Sequence, residues 1–400
     1  MFKEMRKARG AEWVPVVLAA WMSLFALGLV DNARGPIFPE LISQFGLSDT
    51  RASLFFLASS GAGSLHNLIM HRFLSHAAPG RLVVGYTLLM GLGALGISLA
   101  PTYELALLGG AFLGMGFGGL GVAQNSAVQA VPKRIRSQAQ GMLHGMYGFS
   151  SLLAPLAMAS GGVQWRGTYM LLAAIPLVVS FGLLFRWSRL GHYHPDDDEA
   201  DIVVAAESTS RSGWLFALLV GCLVVAEISV SSRLVLLARR EWDLGFEEAS
   251  AWLAWYFVAM TIARFGLGFF KLPGATGRVL LAVIGLALPV GAVGLFGLPG
   301  IAEGASQRLT ALCLFGFLIA LGYPLAMVRV RELYGRGAQK VTTLCILVQS
   351  ISGVSMNLAL GWIADEVSLL RALQLVTLGV LAMGFVLMLT VERPRLNRTA

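Results

Sequence analysis

Glu227 stands in the run WLFALLVGCLVVAEISVSSRLVLLA with apolar residues on both sides of it. A carboxyl inside hydrocarbon is costly unless it is paired, wetted or protonated, and the chemistry it offers is to bind and release a proton. The competing reading is a structural glutamate, held by Arg233 or by an arginine on another helix; the residues alone leave both open. Asp31 and Asn32 close the first apolar stretch in LGLVDNARGPIFPEL. If a helix stops at Ala33, Asp31 is an end residue; if it runs through Pro36 to Leu41, Asp31 is central and faces a cavity, which is the reading preferred here.

Amides, imidazoles and phenols make up a second tier. His66 and Asn67, Gln124 and Asn125, and His144 and Tyr147 stand in three separate apolar stretches of the first half. Such groups bind a polar solute or relay a proton, since histidine titrates near neutrality. They also form interhelical hydrogen bonds, worth under about 1 kcal/mol each in membranes, and any one taken singly reads as such glue. Tyr323, Gln349, Ser350 and Asn357 form the comparable set in the second half. Arg264, in IARFGLGFF, falls near a membrane edge where it can snorkel to headgroups or bond carbonyls, so it is assigned with His66 to gating or structure.

These residues need membrane helices to position them. The chain has 400 residues, 56% of them hydrophobic and only 13% charged, where a soluble protein has about a quarter charged. That composition excludes a water-soluble enzyme, a disordered protein and a nucleic-acid binder, because the +8 net charge falls in short clusters between apolar runs. A helix needs roughly 20 apolar residues to cross about 30 Å of hydrocarbon. On that ruler the spans are Trp13–Ala33, Ala52–Met70, Arg81–Ala100, Glu104–Val131, Gln138–Gly162 and Thr168–Phe185, then Trp214–Leu237, Ala249–Phe270, Val279–Leu298, Leu309–Val328, Val341–Ala364 and Leu370–Val391. The expected fold is therefore all-α, with twelve transmembrane helices in two pseudo-symmetric six-helix bundles, residues 1–189 and 214–400, joined by a polar linker over 190–213.

Placing the N-terminus inside leaves seven arginines outside (Arg34, Arg51, Arg166, Arg239, Arg240, Arg308 and Arg371), with Arg233 and Arg264 in spans and the rest of the 30 lysines and arginines inside. Both termini are therefore expected in the cytoplasm. The basic start MFKEMRKARG precedes an apolar run with no small-residue cleavage site, so the first helix is expected to stay in the protein. A parallel repeat shows in Pro79-Gly80-Arg81-Leu82-Val83-Val84 against Thr276-Gly277-Arg278-Val279-Leu280-Leu281, and in Arg166 against Arg371. The third, sixth, ninth and twelfth spans are nearly free of polar side chains and are expected to face lipid.

Several motifs carry bland readings. His192 and His194 beside Asp196, Asp197 and Asp198 suit a polar loop better than a metal site. Cys222, Cys313 and Cys345 lie in apolar stretches without CxxC spacing and read as reduced thiols. Gly114-Met115-Gly116-Phe117-Gly118-Gly119 matches GxGxxG, yet no strand precedes it. Gly110, Gly114 and Gly118 instead make one small helix face, for which Gly141 and Gly145 offer a partner surface.

Across essentially the whole chain this architecture resembles the major facilitator superfamily. Gln164-Trp165-Arg166-Gly167-Thr168-Tyr169 resembles the WRW(A/T)(F/Y) start of that family's sixth helix, and Gly361-Trp362-Ile363-Ala364-Asp365 the end of its eleventh. The loop LHNLIMHRFLSHAAPGR departs from the family's GxxxDRxGRR by lacking the aspartate. Asn125, Leu143, His144, Tyr147 and Gly148 resemble the fucose and glucose permease branch, as does PELISQFGLSDTRASL. The acidic residues of that branch align with Gly121 and near Gly35, so coupling would have to move to Asp31 or Glu227, or be absent.

The resemblance implies a secondary transporter of a small polar organic solute, sugar or sugar-like, working by alternating access and coupled to protons. The solute-binding or coupling residues are expected to be Asp31, Asn32, Gln124, Asn125, His144, Tyr147, Glu227, Tyr323, Gln349 and Asn357. No cofactor, metal, nucleic acid or enzymatic activity is expected, and the protein should work as a monomer in a bacterial inner membrane. The alternative is a proton-coupled drug or metabolite exporter, whose fifth-helix signature is only partly matched by Ala154-Pro155 and Met158-Ala159. A sensor that kept the fold would lack ionisable groups in its cavity, which Glu227 argues against.

Overall fold

A computed structural model describes residues 13–74, 77–129, 133–160, 164–190, 211–267, 276–296, 304–334 and 338–399. They are almost wholly helical: α1 Trp13–Asn32, α2 Arg34–Phe45, α3 Asp49–Leu74, α4 Pro79–Leu99, α5 Tyr103–Gln129, α6 Lys133–Ser160, α7 Trp165–Leu184 and the short α8 Trp187–Leu190. There follow α9 Arg211–Glu241, α10 Phe246–Leu267, α11 Thr276–Phe296, α12 Ala305–Tyr334, α13 Ala338–Glu366 and α14 Leu369–Leu373, which continues through a π-helical turn, Gln374–Leu378, into α15 Gly379–Thr399. These make twelve stretches of membrane-crossing length, nine of which are also apolar enough by composition. The other three are α3, α6 and α10, which carry His66 and Asn67, His144 and Tyr147, and Arg264. The polar residues that attract attention as site candidates are what lowers their hydropathy.

The first span does not stop at Ala33. Helical backbone bonds run across it, from the Ala33 amide to the Leu29 carbonyl and from the Ile37 amide to the Ala33 carbonyl, so α1 and α2 form one stretch to Phe45. Pro36 and Pro39 lack the amide hydrogens that would bond the carbonyls four residues back, which loosens the helix without ending it. Arg34, placed on an outer loop by the sequence, is thereby inside the helical run.

The chain divides into two compact units. One comprises residues 1–45 and 54–203, the other 46–53 and 204–400, so α3 gives its first turn to the second unit and its remainder to the first. In the first unit α4 packs on α5 and α7, and α1 on α6; in the second α11 packs on α12 and α15, and α9 on α13. Each unit thus uses the same pairings of its own first, third, fourth, fifth and sixth spans.

Small residues set the closest approaches. A β-carbon on Gly114 would fall 1.9 Å from the Ser59 carbonyl oxygen, and one on Gly118 2.7 Å from that of Gly63. The Gly110, Gly114 and Gly118 face therefore meets α3, and not the Gly141 and Gly145 surface of α6 expected from sequence. On another side of α5, Gly109 meets Gly93 and Ile97 of α4. Backbones this near cannot admit side chains between them, which is why two faces of one helix are glycine-rich. Residues 191–210, with the His192 to Asp198 cluster, lie outside the described residues.

Candidate functional site

In the first unit the charged centre forms around the joint between α1 and α2. Asp31 pairs through Oδ1 with Nη2 of Arg34, one helical turn on, and its Oδ2 accepts a 2.8 Å bond from the Tyr147 hydroxyl of α6. Arg34 also donates to Ser59 Oγ at 2.7 Å and lies 5.5 Å over the Phe56 ring. Asn32 donates to the Gly28 carbonyl and to Ser151 Oγ, both at 2.9 Å, and the Tyr169 hydroxyl donates to the Val30 carbonyl at 3.1 Å. Gly28 allows this close approach, since a β-carbon would fall 2.9 Å from the Tyr147 carbonyl oxygen and 1.9 Å from Ser150 Oγ.

In the second unit Glu227 of α9 pairs with Arg264 of α10, Nη2 to Oε1 at 2.7 Å. Arg264 therefore turns to the carboxylate rather than snorkelling. The pair is only partly buried, the side chains of Arg264 and Glu227 being 36% and 18% exposed. Tyr256, wholly buried two turns before Arg264 on α10, and Tyr323 of α12 both lie within the electrostatic reach of the pair. The Tyr256 hydroxyl has no hydrogen-bond partner among the described residues.

The remaining candidates are dispersed. His66 bonds the Tyr86 hydroxyl at 2.9 Å, which accounts for its imidazole structurally. Gln124 is buried with Nε2 lacking a partner among the described residues, and Gln349 is alike in its Oε1. His144 is exposed on α6, and the side chain of Asn125 is outside those described. Ser350 bonds back to the Ile346 carbonyl. Asn357 donates to the Gly353 carbonyl at 2.9 Å and accepts from Arg233 at 3.4 Å.

Sequence reasoning named Arg233 as a possible partner of Glu227 but missed the contacts that it and several other charged groups of the second unit make. Arg233 is 1% exposed and donates to Ser53 Oγ at 3.1 Å. Arg240 contacts both Asp49 oxygens at 2.9 and 2.6 Å, while Asp365 accepts from the Asp49 and Thr50 amides and so caps the start of α3. Arg329 holds both oxygens of Glu392 at 2.7 and 2.6 Å, and also Glu332 at 2.5 Å. Arg34 was the most findable of all the missed groups: it stands three residues after Asp31, the spacing of one helix face, and only the span boundary drawn at Ala33, which put it outside the membrane, hid it.

Two units of membrane-length helices that repeat the same internal pairings and hold ion pairs within their helices define a polytopic membrane protein. The chain belongs to the Major Facilitator Superfamily, which it matches over residues 20–354. It is similar in fold to a bacterial homolog of the human lysosomal transporter Spinster, inward-facing and occupied, with TM-score 0.71 and 13% identity, covering 94% of this chain and 96% of that one. The transporter FucP in its outward conformation gives TM-score 0.62 at 16% identity, covering 95% and 99%, and a D-xylose-proton symporter gives 0.65 at 12%, covering 94% and 96%. In sequence it is 25% identical over 177 residues to the Transcription regulatory protein OpdE of Pseudomonas aeruginosa, spanning 44% of this chain and 43% of that relative. The protein is thus a multi-pass integral membrane protein of a transporter family.

Proposed function

We propose that the protein is a proton-coupled secondary transporter of a small polar organic solute, working by alternating access with its two six-helix halves as the moving parts and residues 190–213 as a cytoplasmic linker. The observation that carries this is the Glu227–Arg264 pair, a carboxylate and a guanidinium held within membrane helices yet accessible. Charges so placed must meet water or each other rather than acyl chains, and that is the requirement of a solute path. Glu227 is the proton-binding group, Asp31 a second candidate, and Tyr323, Gln349 and Tyr147 supply hydrogen bonds around them. FucP and the D-xylose-proton symporter, similar in fold, support a sugar-sized solute and proton coupling. Lysine and arginine placement supports cytoplasmic termini and a bacterial inner membrane, and the protein works as a monomer.

The test is solute uptake by membrane vesicles under an inward pH gradient. Wild type should accumulate solute, and Glu227→Gln should lose accumulation while retaining exchange of labelled for unlabelled solute. Undiminished uphill transport in Glu227→Gln overturns the coupling role. Solute driven outward by an inward proton gradient would make the protein an exporter, the alternative direction for the same site. A second reading, a solute-responsive regulator, is favoured by the match to OpdE; it requires deletion to change transcription while vesicle transport is nil.

A further inference from the structure

We infer that the Glu227–Arg264 pair is a binding site for a carboxylate, so that the transported solute is an organic monoanion, taken together with one proton. This deepens the transporter reading above and rests on it.

The argument is one of charge. In the structure Glu227 and Arg264 neutralise each other. A neutral solute arriving with a proton on Glu227 would leave Arg264 as a cation within a membrane helix without its counter-charge, an unfavourable state. A carboxylate arriving without a proton would leave two anions facing one cation. Only the joint event keeps the site neutral: the solute carboxylate takes the hydrogen bond of Arg264, and Glu227, released, takes one proton from water. Arginine suits this exchange because its planar fork binds any carboxylate, whether glutamate or solute.

The surroundings fit an incoming ligand. The pair is accessible, unlike Arg329 and Glu392, whose side chains are 10% and 9% exposed and which meet through both carboxylate oxygens. The wholly buried Tyr256 hydroxyl, without a partner among the described residues, offers a donor or acceptor beside the pair. Among the described residues, Glu227 has Arg264 of α10 in contact and lies within electrostatic reach of Tyr256 of α10 and Tyr323 of α12. These tyrosines in turn neighbour Cys313 of α12 and Cys345 of α13, while Arg233 on α9 itself bonds Ser53 and Asn357. The π-helical turn meets α9 through the Ser229–Thr377 hydroxyl pair, which does not titrate near neutrality. Arg264 is thus the cation in contact with Glu227.

The test uses purified full-length protein in liposomes with D-galacturonate, D-gluconate and L-lactate against D-galactose and myo-inositol. At least one acid should accumulate under an inward pH gradient, approaching about tenfold per pH unit for one proton per anion. A potassium–valinomycin potential should leave that accumulation unchanged, since no net charge moves. Glu227→Gln should still exchange the acid but show no pH-driven accumulation, and Arg264→Lys should weaken binding of the acids in a thermal-shift assay. Accumulation of a neutral solute, no response to any acid, or uptake that follows the membrane potential overturns the carboxylate site. Movement of D-galactose alone does so while leaving the transporter reading intact; no movement of any solute in either direction overturns both.

Discussion

Each unit puts a carboxylate on its first span and supplies it with an arginine, but the arginines come from different places. In the first unit Asp31 and Arg34 are three residues apart on one helical stretch, and Tyr147 adds a second contact from α6. In the second, Glu227 and Arg264 are 37 residues apart on two helices. A pair within one stretch stays closed however the helices shift, and it pins the joint that Pro36 and Pro39 loosen. A pair bridging two helices opens when they separate, and opens also when a ligand competes. The first is built as a staple, the second as a switchable contact.

The largest expected effect separates these roles. Glu227→Gln should abolish pH-driven accumulation and lower thermal stability less than Asp31→Asn does, because its pair is the more exposed of the two, whereas Asp31→Asn should retain accumulation. Uptake in vesicles and thermal denaturation of the purified variants measure both; the reverse pattern would make Asp31 the switch. Next in size, Arg34→Ala should destabilise by about 3 kcal/mol, because it leaves the Asp31 carboxylate, 10% exposed, without its cation. A third, smaller change is Tyr147→Phe, which removes one hydrogen bond to a charged acceptor and should cost about 1–2 kcal/mol in the same assay. If Arg34→Ala costs no more than Tyr147→Phe, the staple is not the ion pair.

The asymmetry between these centres also marks what sequence could disclose. Length and hydropathy are properties of contiguous residues, so all twelve stretches could be read directly, and so could the Gly110, Gly114 and Gly118 face. The partner of that face could not: α3 offers Ser59 and Gly63, an ordinary pair of small residues, whereas α6 offered a more regular spacing. Asp31 and Glu227 were visible because a lone carboxyl is conspicuous in an apolar run. Arg264 was visible too, but its proximity to Glu227 depends on how α9 and α10 meet. The first span was bounded at Ala33, although the preferred placement of Asp31 already required the helix to run on through Pro36, which a membrane helix with tertiary partners tolerates.

The smallest effect concerns the repeat itself. Arg166 and Arg371 occupy corresponding places before the last span of each half, yet they act differently. Arg166 donates to the Ser98 and Ala100 carbonyls at 2.8 and 2.7 Å, covering the end of α4, and lies 5.0 Å over the Trp165 ring. Those carbonyls have no amide further along the helix to bond, so a forked donor there satisfies orphan acceptors and complements the helix dipole. Among the described residues the Arg371 guanidinium reaches only Gln374, in its own helix, at 3.4 Å. Lysine cannot reproduce the fork, so Arg166→Lys should cost about 1–2 kcal/mol. Arg371→Lys should stay within about 0.5 kcal/mol, as for an ordinary surface change. Equal shifts in thermal denaturation would mean that the two arginines, alike in sequence position, also carry equal structural weight, and that the capping of α4 contributes nothing to the first unit beyond what its glycine contacts already supply.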